Sequence, residues 1–102
     1  PHLFTRTRDF ADDFAEVLSG LDEVGLLPIY PAREEPIAGV TSEWLMGKIN
    51  VKRTLLLPDI LAKYLRERVK RCVAQGKDCV VITMGAGDID RKVSDITKSL
   101  II

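Results

Sequence analysis

Histidine occurs once in these 102 residues, cysteine twice, and aromatic residues make up only 6% of the chain. One histidine and two cysteines without Cys-x-x-Cys spacing cannot assemble a zinc site. A Ser-His-Asp or Cys-His nucleophile would have only His2, at the very start, as its base, so no such set can be built convincingly. Charge of one sign is also lacking: fifteen Lys and Arg balance fifteen Asp and Glu. No global field attracts nucleic acid or an anionic membrane, and neither is expected as a partner. Long apolar runs are absent too, since Leu55–Leu57 and Cys79–Ile82 fall far below the roughly 20 residues that span a bilayer. No signal-peptide pattern opens the chain. The expectation is a soluble protein, with Cys72 and Cys79 as buried free thiols in the reducing cytoplasm. The length suits one domain with a core and is short for an enzyme that binds several substrates.

What is present is organised around Asp78–Asp90, DCVVITMGAGDID. Cys79, Val80, Val81 and Ile82 form a short β-branched run, which reads as a buried strand. Gly85 and Gly87 follow at once. Beyond Asp88, Ile89, Val93, Ile96 and Leu100 recur at i, i+4, i+7 and i+11, one face of an amphipathic helix. A strand, glycine turn and helix in series can cradle an anion, because glycine permits close backbone approach and the first helical amides are unpaired donors. The plainer reading is a tight turn with Asp88 as cap, and the local sequence favours it, as only two glycines are present without a Lys-Ser/Thr ending.

Elsewhere, Thr7 is a fair cap for a helix whose apolar positions are Phe10, Phe14, Val17, Leu18 and Leu21. Val24–Tyr30 reads as a strand, with Pro28 near its end. Residues 31–40, PAREEPIAGV, form an ordered loop, and Thr41 or Ser42 caps a short helix carrying Trp44, Leu45 and Ile49. Arg53–Leu57 reads as a strand. Pro58 and Asp59 open the longest helix, with Leu61, Leu65, Val69, Cys72 and Val73 as its buried stripe and Gly76 as its stop. Lys63, Arg66, Glu67, Lys70 and Arg71 on the other side suit a solvated face better than a phosphate surface. Alternating strands and helices predict an α/β, Rossmann-like three-layer fold with a mostly parallel sheet, about three strands and four helices. Ligands in such sheets bind at the carboxyl ends of strands, here the 31–40 loop, the Leu57–Asp59 turn and the Gly85–Asp88 turn.

Glu34 and Glu35 are adjacent carboxylates, yet neighbours in a proline-flanked loop are more often solvated than paired for acid/base work. His2 and Arg6, four residues apart, suit recognition of a carboxylate or phosphate, Arg through its bidentate fork. On local grounds alone a frayed terminus competes with that reading.

Three stretches in series, PHLFTRTRDFADDF at 1–14, IYPAREEPIAGVTSE at 29–43 and VITMGAGDID at 81–90, resemble the C-terminal domain of the Mur ligases essentially end to end. The resemblance implies an ATP-dependent amide ligase of peptidoglycan synthesis. In it the carboxylate of UDP-N-acetylmuramate is phosphorylated by ATP with Mg2+, and the amine of L-alanine attacks the acyl phosphate. A family member that adds a recycled tripeptide to the same acceptor, and a non-catalytic anion-binding module, are the alternatives. The resemblance further implies that the central domain, which holds ATP and metal, the N-terminal domain, which holds the UDP sugar, and the first strands of this domain all lie outside these residues. The fragment alone would then be inactive and would carry no catalytic residue.

Carried over by position, His2 and Arg6 match the family's PH-x-x-TR pattern. Tyr30 and its loop match Tyr-Pro-Ala-Gly-Glu-x-Pro, and Gly85, Gly87 and Asp88 match Gly-Ala-Gly-Asn/Asp. Leu3 stands where Arg is common, and Arg33 stands where Gly is common. Arg33 restores a positive charge near the same expected pocket. The implied substrate-binding set is therefore His2, Arg6, Tyr30, Arg33, Gly85, Gly87 and Asp88.

Overall fold

The computed structural model describes residues 3–85 and 88–101. In chain order it comprises α1 (Phe4–Leu18), β1 (Glu23–Leu26), α2 (Ser42–Met46), β2 (Lys52–Leu55), a 3-10 turn (Pro58–Ile60), α3 (Leu61–Ala74) and α4 (Asp88–Leu100). Among the described residues this is an α/β chain with four α-helices and a two-stranded parallel sheet. It divides into two compact units, Pro1–Leu56 and Leu57–Ile102.

In the first unit, β1, α2 and β2 make a parallel crossover, with Glu23 paired to Lys52 and Leu26 to Leu55. The Leu56 amide extends the ladder by donating to the Leu26 carbonyl at 2.7 Å. Val24 and Leu26 point into the core while Gly25 between them lies under Leu56, where a Cβ would stand 2.8 Å from Leu56 Cδ1. Glycine in this strand is a matter of space. The core joins Ala11 and Ala15 of α1, Val24 and Leu26 of β1, Leu45 of α2 and Ile49 beyond it. Thr41 caps α2, its hydroxyl accepting from the Trp44 amide at 3.1 Å. The buried Ser42 hydroxyl donates to the Leu27 carbonyl, which fixes the end of β1 to the start of α2.

In the second unit, Pro58 opens the 3-10 turn, where its fixed φ suits a helical start. The helix that follows ends in a Schellman motif: Gly76, at φ 74°, donates to Val73 and Lys77 donates to Cys72. Among the described residues, Leu61 of α3 and Ile96 of α4 are the buried apolar ones here. The basic residues Lys63, Arg66, Lys70 and Arg71 are all exposed, as expected of a solvated face.

Four expectations need correction. First, α1 begins at Phe4, and Thr7 is a buried interior residue whose hydroxyl donates to the Leu3 carbonyl at 2.8 Å. Second, α1 buries Thr7, Ala11 and Ala15, leaving Phe10, Phe14 and Val17 exposed at 51%, 40% and 70%. Small side chains on that face let the helix approach the core closely. Third, residues 79–82 form no strand: Val80 is 84% and Ile82 60% exposed, and among the described residues β1 and β2 pair only with each other. An apolar run supplies strand propensity, but a strand exists only when a partner satisfies its backbone. Fourth, Cys79 is exposed and Cys72 only half-buried, and Val73 lies outside the stripe assigned to it.

Candidate functional site

The start of α1 is joined to the Tyr30–Glu34 segment by three hydrogen bonds. The Leu3 amide donates to the Tyr30 carbonyl at 2.8 Å, the Thr5 amide donates to Glu34 Oε1 at 3.0 Å, and the Thr5 hydroxyl donates to Glu34 Oε2. A turn closed by the Glu34 amide donating to the Pro31 carbonyl at 2.9 Å presents the carboxylate. The amides at a helix N-terminus have no partners within the helix and carry partial positive charge, so a carboxylate from a distant loop satisfies both needs. Glu34 and Glu35 are therefore not an equivalent solvated pair. Glu34 is half-buried and engaged, while Glu35 is exposed.

The Thr5 hydroxyl, then the Thr5 amide, hold the Glu34 carboxyl below its ordinary value; burial opposes this, and the Phe4 amide and Arg8 add to it. Arg8 is itself stabilised as a cation by its hydrogen bond and ion pair to Asp9 at 2.8 Å. A carboxyl lowered on folding contributes stability that is fully present above its unfolded value, near 4.5, and is lost as pH falls through the folded one. Glu34→Gln is accordingly expected to flatten the fall of Tm between pH 5 and pH 3, measured by thermal melts. An unchanged acid slope would contradict this.

The other sequence-derived site residues fall as follows. Arg6 is exposed on α1 and makes no ion pair among the described residues. Its neighbour Thr5 is held by Glu34 and its neighbour Thr7 by Leu3. Tyr30 is half-buried, with its carbonyl on Leu3. Arg33 is exposed in the Pro31–Glu34 turn, where the positive φ of 53° falls on Ala32. Position 33 thus has no conformational need for glycine and accepts arginine. Gly85 has φ 133°, and a Cβ there would meet Ile89 Cγ2 at 3.1 Å. Gly85→Ala is expected to cost about 1–3 kcal/mol in unfolding free energy, read by urea denaturation. Asp88 is the first residue of α4. His2, Gly87 and the side chain of Asp88 lie outside the described residues.

The structure therefore brings Arg6, Tyr30 and Arg33 onto two segments bonded to each other. A shallow concavity of about 200 Å³, lined by none of these three, opens between Phe4, Pro28, Ile29 and Val40–Glu43. It lies past the carboxyl end of β1, where parallel sheets take ligands. No group of three or more His, Cys, Asp or Glu among the described residues could hold a metal. The Thr5–Glu34 bond has no local sequence signal, because the accepting carboxylate comes from 29 residues away.

No family model matches the chain. Its relatives are more specific: it is 50% identical over 101 residues to the UDP-N-acetylmuramate--L-alanine ligase of Christiangramia forsetii and 49% over 102 residues to that of Flavobacterium johnsoniae. The enzyme of the same name from Renibacterium salmoninarum is 46% identical over 100 residues. These matches cover 98–99% of this chain and 20–21% of the ligases, so the chain spans about a fifth of their length. Across nearly all of its residues, this chain is a relative of the UDP-N-acetylmuramate--L-alanine ligases.

Proposed function

We propose that the chain is the C-terminal, amino-acid-binding domain of a cytoplasmic ligase that joins L-alanine to UDP-N-acetylmuramate in peptidoglycan synthesis. The observation that carries this reading is the direct bonding of the Arg6 turn to the Tyr30–Glu34 loop, two motifs 29 residues apart that the ligase resemblance assigns to one pocket. Arg6 then meets the carboxylate of the incoming amino acid, a charge-assisted contact that holds its amine toward the acceptor. Arg33, on the same tethered loop, adds positive charge. ATP and Mg2+, held mainly by the central domain, supply the acyl phosphate that the amine displaces. A domain that closes over this site excludes water from the acyl phosphate without providing an acid or base of its own.

The test is phosphate release from ATP by the complete ligase chain with UDP-N-acetylmuramate, comparing L-alanine, glycine, L-serine and L-Ala-γ-D-Glu-meso-diaminopimelate. Release that depends on L-alanine is the expected result. Release with the tripeptide alone moves the chain to the recycling ligase, and release with none withdraws the enzymatic reading. In the same assay Arg33→Gly is expected to raise the KM for L-alanine several-fold, and an unchanged KM removes Arg33 from the pocket.

A further inference from the structure

We infer that Glu34 is a positioning residue, clamping Thr5 so that the neighbouring Arg6 faces the amino acid; the inference rests on the ligase reading above. Both carboxylate oxygens are engaged, Oε1 by the Thr5 amide and Oε2 by the Thr5 hydroxyl. Glu34 is thus turned toward the helix, where it meets unpaired amides, and is not presented to a ligand.

The contact has two ends that matter. At one end, Thr5 precedes Arg6 directly, and Thr7 on its other side is fully buried with its hydroxyl on the Leu3 carbonyl. The backbone on both sides of Arg6 is therefore held, while its side chain stays exposed. At the other end, Glu34 closes the Pro31–Glu34 turn that carries Arg33. One carboxylate thereby links the two arginines. Guanidinium recognition of a carboxylate is geometric, and an error of about 1 Å in such a contact weakens it severely. A clamp on the backbone beside Arg6 acts on that geometry without entering the pocket.

The test uses the complete ligase with KM measured separately for each substrate. Glu34→Ala and Thr5→Val are each expected to raise the KM for L-alanine about tenfold, with those for ATP and UDP-N-acetylmuramate within twofold of the parent. The double variant should be no worse than Glu34→Ala alone, because that change already removes both bonds to Thr5, of which Thr5→Val removes only the hydroxyl's. Thr5→Ser keeps the hydroxyl and should recover most of the loss. In an Arg6→Ala background, Glu34→Ala should add nothing. If Glu34→Ala fails to fold, Glu34→Gln, which keeps an accepting oxygen, takes its place with an expected rise of about threefold. An L-alanine KM that stays put in a folded variant overturns the inference, as does a Glu34 effect that multiplies with that of Arg6. A parent chain inactive with L-alanine overturns the ligase reading and this inference together; an active parent with unmoved variants overturns the inference alone.

Discussion

Leu45→Ala is expected to lower the unfolding free energy by about 2–5 kcal/mol, the range for truncating a leucine in a core that cannot collapse around the gap. Leu45 is 1% exposed and lies in the cluster of Ala11, Ala15, Val24, Leu26 and Ile49. Several of those neighbours are small or sit in backbone that is already fixed. Ala11 and Ala15 are on a helix, and Val24 and Leu26 are on a strand whose register with β2 is set by hydrogen bonds. None can move in to fill the void. Domains hold only about 5–15 kcal/mol in total, so the loss removes a large share of the stability of the unit that carries Arg6. Val17→Ala, at a residue 70% exposed, is the control and should cost under about 0.5 kcal/mol. Urea denaturation followed by circular dichroism reads both, and a Leu45 cost below about 1 kcal/mol would mean that this cluster is not the core.

The elements that sequence placed well are those whose causes are local. The cap at Thr41, the proline that opens the 3-10 turn and the glycine stop at Gly76 each act within a few residues, and each stands where its chemistry requires. The buried face of α1 depended on a neighbour. Phe10, Phe14 and Val17 carry the stronger apolar pattern, yet close approach to the core selected Thr7, Ala11 and Ala15. The run at 79–82 failed for a related reason: its β-branched residues give it strand propensity, but no partner strand pairs with it among the described residues. Helix periodicity narrows a surface to an arc, and packing decides which part of the arc is covered.

The candidate site divides along the same line. Arg6, Tyr30 and Arg33 were legible as residue types in motifs. The bond that holds their segments together was not, because Thr5 and Glu34 are unremarkable polar residues until a fold brings them within 3.0 Å. Position 33 shows the converse. The resemblance marks Arg33 as a departure from a common glycine, while the backbone places the left-handed residue one step earlier, at Ala32. A motif in series records which residues meet, and the structure supplies the reason they meet.

Arg6→Ala is expected to cut kcat/KM for L-alanine by about 100-fold in the complete ligase, equal to about 2.7 kcal/mol of lost transition-state stabilisation. The size follows from the contact proposed. A guanidinium that grips a carboxylate through two parallel hydrogen bonds contributes more than a single neutral bond, and its loss leaves the substrate anion unpaired in a closing site. Arg6→Lys keeps the charge but replaces the planar fork with a point donor, so it should recover only part of the loss, to about tenfold below the parent. Neither change should disturb folding, because the side chain is exposed and forms no ion pair among the described residues. Steady-state phosphate release at varied L-alanine reads the effect, with Tm as the check on folding. If kcat/KM for L-alanine stays within threefold in Arg6→Ala, the arginine lies outside the amino-acid site, and the positioning role of Glu34 falls with it.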